Sequence, residues 1–380
     1  MSRVAPNPDN LVTVDLEAIA ANLAALRALL RPGMGVAGVV KADAYGHGLV
    51  PVARRLKAEG AEALAVALVS EGVLLRRAGV QGPILVLMGL GPEQAQLAVA
   101  HGLSPFLGVW EDFQALSQTA GALGAVASCH LKIDTGMSRL GAAPNEALGL
   151  MERAAALPGI RVEGLASHLA TSGVPGDVQA QKQAAIFRDL LAEARKRGFA
   201  LPQSSLAGSG GVLAPPEAAH GQPGLARLGI SLYGGLPDPA SQGAAPLRGA
   251  MRFTSRLAAV RRIPAGTGVS YGHTWRAPSD TWLGVVAAGY SDGYPRSASN
   301  QARVLIQGRP ASMRGRICMN AFMVDLTGFD PLPSPGEEVV LLGRSGSQEI
   351  TADQLGHWAG TISYEITCSL GAANRRRHRP

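Results

Sequence analysis

Lysine is scarce in this chain, and one lysine stands where chemistry could be done. Only five of the 35 lysine-plus-arginine positions are lysine: Lys41, Lys57, Lys132, Lys182 and Lys196. Lys41 lies in the stretch Val39-Val40-Lys41-Ala42-Asp43-Ala44-Tyr45-Gly46-His47-Gly48. The apolar run from Gly35 to Val40 reads as a buried strand that ends at the lysine and then turns through glycines, which delivers an ammonium from a rigid element to a pocket mouth. Lysine sheds its proton when desolvated and arginine does not, so an amine kept at this point suits Schiff-base or proton-transfer chemistry. A lysine snorkelling from a strand end is the competing reading of the same residues.

The elements that must position such a group alternate. Strand-like runs at 36–40, 64–69, 84–88, 105–109, 130–133, 164–168, 204–207 and 228–232 are separated by helix-like stretches at 51–59, 92–100, 111–120, 145–156 and 178–198. Before them, Leu11-Val14 is strand-like, and Asp15 is placed to cap a helix whose apolar positions are Leu16, Ile19, Leu23, Leu26, Leu29 and Leu30. Eight strands alternating with helices over some 200 residues predict a (β/α)8 TIM barrel; a doubly wound open sheet shows the same alternation. In a barrel, the carboxyl ends of the strands carry the chemistry. Lys41 and Tyr45 follow the first run, Lys132 to Arg139 lie in and after the fifth, His168 ends the sixth, Ser209-Gly210-Gly211 follow the seventh and Gly229-Ile230 belong to the eighth. Small residues after the last two strands let backbone N–H groups approach phosphate oxygens. Joined to a strand-end lysine, they imply a phosphorylated carbonyl cofactor, with pyridoxal 5′-phosphate the obvious one. Arg227, in an apolar strand lead-in, must find an acceptor if buried.

Beyond Tyr233 the texture changes. Residues 234–249 are rich in Pro, Gly, Ala and Ser and read as a linker, followed by apolar runs at 257–260, 282–287, 302–306, 322–326 and 338–342. The expectation is a barrel over residues 1–240, its first dozen residues free to pack on the second domain, and a smaller, mostly β domain over 241–380. Hydrophobic content of 47% with 17% charged residues fits a packed globular enzyme. Of the formal +7, Arg375, Arg376, Arg377 and Arg379 carry four charges. This reads as a solvated basic tail on a nearly balanced body, and with 4% aromatics it gives no nucleic-acid surface. No apolar core of a leader stands in residues 1–10 and no apolar run approaches 18 residues, so a cytoplasmic, non-membrane protein is expected. Cys129, Cys318 and Cys368 lie far apart, without metal-ligand spacing, so neither a disulfide framework nor a metal is expected.

Taken together, several stretches resemble the alanine racemase family, fold-type III enzymes dependent on pyridoxal phosphate. The carriers are the Lys41 stretch, Leu131-Lys132-Ile133-Asp134-Thr135-Gly136-Met137, Arg139-Leu140-Gly141, Gly164-Leu165-Ala166-Ser167-His168, Arg227-Leu228-Gly229-Ile230, Val269-Ser270-Tyr271-Gly272, Gly289-Tyr290-Ser291-Asp292-Gly293 and Gly315-Arg316-Ile317-Cys318-Met319. The resemblance implies a barrel followed by a β domain, interconversion of L- and D-alanine for peptidoglycan, and a homodimer with shared sites. It implies Lys41 as the lysine that binds the cofactor covalently and Tyr271, from the second subunit, as the opposing acid/base. Tyr45, Ser209, Gly229, Ile230 and Tyr364 would hold the phosphate. Arg227 would face the pyridine nitrogen with His168 behind it. Arg139 would meet the phenolic oxygen and the substrate carboxylate, which the Met319 amide also meets. Lys132 matches a position often carbamylated. An arginine at the ring nitrogen separates this pattern from fold-type III decarboxylases, where a carboxylate is expected. Asn320 replaces the family's usual Asp, Gly208 its usual Asn, and the ending from Gly371 departs from its usual form. A broader amino-acid racemase and a non-catalytic pyridoxal-phosphate carrier are the alternatives, the second opposed by the second domain and Tyr271.

Overall fold

The computed structural model describes residues 7–216 and 224–380. Residues 1–6, the start of the stretch read as lacking a leader, and residues 217–223 lie outside the described residues. The first element, β1 (Leu11–Asp15), ends on Asp15, whose Oδ1 accepts from Ala18 N at 2.9 Å and so caps the helix Leu16–Arg27. Ile19, Leu23 and Leu26 bury that helix's apolar stripe. Then follow β2 (Met34–Val39), β3 (Ala63–Val66), β4 (Ile84–Val86), β5 (Ser104–Leu107), β6 (Ala127–Lys132), β7 (Ile160–Ala166) and β8 (Gly224–Leu228). They form a parallel sheet in the order β7-β6-β5-β4-β3-β2-β8. Segment 204–208 closes it into a barrel: Ser205 N donates to Leu165 O (2.8 Å), Ser167 N to Ser205 O (3.0 Å), and Arg227 N to Ala207 O (2.9 Å).

Two barrel expectations need correction. The seventh run makes isolated bridges, Ala166 with Ser205 and Gly208 with Arg227, instead of a ladder. The eighth strand stops at Leu228 rather than continuing to Leu232, because Gly229 turns out of the strand (φ −119°, ψ −107°) into a 3-10 turn over Ile230–Tyr233. A further helix, Val69–Arg77, fills a place where the sequence reading has strand or nothing.

The second domain is built on a nine-stranded sheet. It contains antiparallel strands at Met251–Ile263, Thr281–Val286, Arg303–Ile306, Phe322–Asp325 and Glu338–Ser345, which match the five expected runs. The sequence reading misses Arg309–Arg314, an edge strand at Gln348–Ile350, and two helices, Ala352–Ala359 and Ser363–Ala373. β1 belongs to this sheet, antiparallel to Met251–Ile263 and parallel to a last strand, Arg375–Arg379. The basic tail is therefore not a solvated extension: alternate residues, Arg376 and His378, turn inward while Arg375, Arg377 and Arg379 face solvent. One hydrophobic core runs through both domains, from Val12, Val36 and Leu64 to Phe253, Phe322 and Ile366. Among the described residues no helix is long and apolar enough to cross a membrane.

Candidate active site

At the carboxyl end of β2 the chain enters a turn of the wrong hand. Ala42, Asp43, Ala44 and Tyr45 have φ of 52°, 55°, 54° and 54°, each costing ~1–2 kcal/mol for an L residue. Strain of this kind persists only where neighbours fix it, and it collects at functional sites. Here Ala44 N donates to Val40 O (2.8 Å), Ala42 N to Glu71 Oε1 (2.7 Å) and Leu49 N to Asp43 Oδ1 (2.6 Å). Gly46 lies so close to the helix Ser363–Ala373 that an added Cβ would sit 2.2 Å from Thr367 O. Lys41 begins the turn and projects into a cavity of about 280 Å3 at the carboxyl end of the barrel.

That cavity gathers Lys41, Tyr45, Lys132, Arg139, His168, Ser209, Arg227, Gly229, Ile230 and Tyr364. Ten of the twelve singled-out residues thus share one wall, and the last of them comes from the second domain. Lys41, Lys132, Arg139 and Arg227 bring four basic side chains together, and among the described residues no carboxylate lines the space. The electrostatic result is mutual repulsion. Burial, reinforced by Arg139, lowers the Lys41 pKa below the ordinary amine value, with Glu71 pulling the other way. Burial next to Arg227 and Arg139 lowers Lys132 well below it, and no group among the described residues accepts a hydrogen bond from its Nζ. Burial, with the cations around it, keeps His168 neutral. Such a pocket calls for an anion.

An anion cradle is present. Ser209 Oγ accepts from Gly229 N at 2.9 Å, which draws the 208–210 and 229–230 loops together. The amides of Gly210 and Ile230 donate to no acceptor among the described residues. Tyr45 Oη presses on Gly229, where an added Cβ would be 2.6 Å from that oxygen, so only glycine admits the hydroxyl. Tyr364 packs beside Tyr45, ring centroids 5.8 Å apart, and burial pushes its hydroxyl pKa up to about 12. Two neutral tyrosine donors, a serine hydroxyl and free amides make a fitting seat for a phosphate.

Arg227 is 5% exposed and its terminal nitrogens are fully engaged. Nη1 donates to Ser205 O (2.9 Å) and Ser205 Oγ; Nη2 donates to Ser167 O, to Leu206 O (3.2 Å) and to Nδ1 of the neutral His168 (3.2 Å). Its Nε–H has no partner among the described residues. Burial and the Arg139 charge lower its pKa to about 10, so it stays a cation at neutral pH. The guanidinium also rests over Phe106, 5.8 Å from the ring centroid. These residues fit pyridoxal phosphate: a desolvated amine, a phosphate seat, and between them a fixed donor for a ring nitrogen.

Tyr271 and Met319 stand apart. Tyr271 is 69% exposed and Met319 55%, and neither lines the cavity. Their loops are tied together, Ser270 Oγ donating to Arg316 O at 2.6 Å, and the Met319 amide has no acceptor among the described residues. Glu71 and Phe106 are site neighbours that sequence reasoning missed. Glu71 had a signal, being the third residue of a helix that opens just after β3, where a carboxylate caps. Phe106, inside an apolar strand, had none.

Comparison with known proteins fits this geometry. The alanine racemase N-terminal domain family matches residues 14–237 and the alanine racemase C-terminal domain family residues 250–378. An alanine racemase of Syntrophobacter fumaroxidans is 39% identical over 360 residues, 95% of each chain. The crystal structure of alanine racemase from D-cycloserine-producing Streptomyces lavendulae has a TM-score of 0.91 at 35% identity, covering 100% of this chain and 98% of that one. The alanine racemase of Bartonella henselae, solved with covalently bound pyridoxal phosphate, has a TM-score of 0.85 at 28% identity, covering 98% of this chain and 100% of that one. With both family models matched in order along the chain and the cavity lined as described, the chain belongs to the alanine racemase family.

Proposed function

We propose that the protein is a pyridoxal-phosphate-dependent alanine racemase that interconverts L- and D-alanine and supplies D-alanine for peptidoglycan in the cytoplasm. The observation that carries this reading is the cavity: a desolvated lysine at the end of β2, a second buried lysine and two arginines around it, a phosphate seat and, among the described residues, no carboxylate. When bound, pyridoxal phosphate supplies an electron sink that acidifies the Cα–H of an attached amino acid. The protein must then remove that proton on one face and return one on the other. Lys41 holds the proton on its face, and burial beside Arg139 lowers its pKa below the ordinary amine value. Tyr271 of a second copy serves the other face: it is too exposed to act within its own chain, and it arrives with the free Met319 amide, which receives the substrate carboxylate together with Arg139. The active unit is therefore a homodimer with shared sites.

Tyr45, Ser209, Gly229, Ile230 and Tyr364 seat the phosphate. Arg227 offers Nε–H to the ring nitrogen and gives up no proton, which discourages side reactions that need that nitrogen protonated. His168 accepts from Arg227 and holds its plane. Lys132, whose Nζ has no acceptor among the described residues, would itself become an anionic acceptor if carbamylated, and that anion would orient Arg139. Asn320 turns its Nδ2 to Ser291 Oγ (2.8 Å), away from any charge role, which keeps a broader amino-acid range as one outcome of the test. Loading the protein with pyridoxal phosphate, supplying single L-amino acids and separating enantiomers by chiral chromatography should give D-alanine in preference to other D-amino acids. Loaded protein that forms no D-alanine removes the proposal.

A further inference from the structure

The left-handed turn is held from a place remote from the cavity. Arg376, in the final strand, donates from Nη1 to Asp43 Oδ2 in an ion pair and to Gly46 O at 3.1 Å. Two residues on, His378 Nε2 donates to His47 O at 2.7 Å. Neither side chain lines the cavity. The strand that carries them pairs with β1, which is itself hydrogen-bonded into the second domain's sheet. Asp43 is bound at both oxygens, Leu49 N on one and Arg376 on the other, in the middle of the four residues whose φ is positive. On the opposite side Glu71 takes Ala42 N (2.7 Å), Ala67 N (2.8 Å) and Leu68 N (3.0 Å). A turn whose backbone favours another conformation keeps its shape only while both clamps grip, and Lys41 is its first residue.

We propose that Arg376 is a positioning residue: with His378 it straps the second domain's last strand to the left-handed turn and so fixes the aim of Lys41 and Tyr45. The inference rests on the reading of Lys41 as the reactive lysine. Its charge-matched control lies one residue away, since Arg377 points to solvent and is exposed. In the pyridoxal-phosphate-loaded enzyme, Arg376→Ala should lower kcat at least tenfold with KM for alanine changed less than threefold. The share of cofactor fixed to Lys41 by borohydride, read by peptide mapping, should fall in parallel. Arg376→Lys should recover part of both, and Arg377→Ala should match wild type. Wild-type kcat and fixation in Arg376→Ala, or equal losses in Arg377→Ala, overturn the strap. If Arg376→Ala does not fold, Asp43→Asn, which keeps the acceptor for Leu49 N, is measured the same way, and wild-type values there overturn it too. A wild-type enzyme that neither makes D-alanine nor is fixed at Lys41 instead removes the reading of the site on which the strap rests.

Discussion

Replacing Gly229 by alanine isolates the phosphate seat from the reacting groups. The new Cβ would lie 2.6 Å from Tyr45 Oη, 3.3 Å from Tyr45 Cζ and 3.8 Å from Val39 Cβ. Something must move, and the tyrosine has little room: it is 6% exposed, packed 5.0 Å from the Tyr233 ring, and rooted in the strained turn. Overpacking of this kind costs ~1–3 kcal/mol. Displacing the hydroxyl also removes a hydrogen bond to a charged ligand, worth ~1.5–3 kcal/mol. The second quantity alone weakens cofactor binding ~10- to 100-fold. Apoprotein titrated with pyridoxal phosphate under visible circular dichroism should show that loss, and the apoprotein should melt a few degrees lower. Adding Tyr45→Phe removes the clashing oxygen, so the melting temperature of the double variant should recover while the affinity stays low. Wild-type affinity in Gly229→Ala, or an unchanged affinity in Tyr45→Phe alone, refutes the assignment of that hydroxyl to the phosphate.

Four further outcomes follow from the same geometry. Lys41→Ala should cut racemisation by ~10²–10⁴-fold or more and abolish borohydride fixation, and a label on Lys132 instead would reverse the roles of the two lysines. Arg227→Glu places a carboxylate where a donor stood; each unit by which it raises the ring-nitrogen pKa is ~1.4 kcal/mol, so turnover should slow and pyruvate should form as a side product, and unchanged kcat without pyruvate would take Arg227 away from the ring. The Lys132 amine has a folded-state pKa below 10.5, so the unfolded chain holds more protons between the two values. Stability of carbon-dioxide-free apoprotein should therefore rise with pH through that window, more steeply than in Lys132→Met, and equal slopes in urea titrations would contradict the burial argument. Inactive Tyr271→Phe mixed with inactive Lys41→Ala should regain activity in heterodimers carrying one intact site, whereas verified heterodimers with none would count against sharing.

Much of the site is legible in the sequence because the chemistry sits at strand ends. Lys41, Arg227 and the 208–211 glycines are marked by type against an apolar background, and the barrel's alternation says they converge. The hand of the 42–45 turn is not legible, since Ala, Asp and Tyr do not prefer positive φ. It is imposed by Glu71 and by Arg376, which lies 333 residues from Asp43. The arginine-rich ending misleads for a related reason: charge suggests solvent, but only every second residue of a strand need face it. The seventh barrel strand is reduced to bridges at Ser205 and Gly208, and the Ser205 carbonyl is also taken by the Arg227 guanidinium. Tyr271 is legible as a motif and not as a location, because nothing within one chain brings it to the cavity.

The claim that two groups on opposite faces share one reaction is tested most directly by racemising L-alanine in D2O and measuring Cα label at the earliest turnovers. If Tyr271 of a second copy removes the proton and Lys41 returns one from its own solvent-exchanged amine, essentially every molecule of new D-alanine should carry deuterium while unreacted L-alanine stays largely protiated. D-alanine that keeps the substrate's own hydrogen would mean that a single group carries the proton across, and would contradict the account.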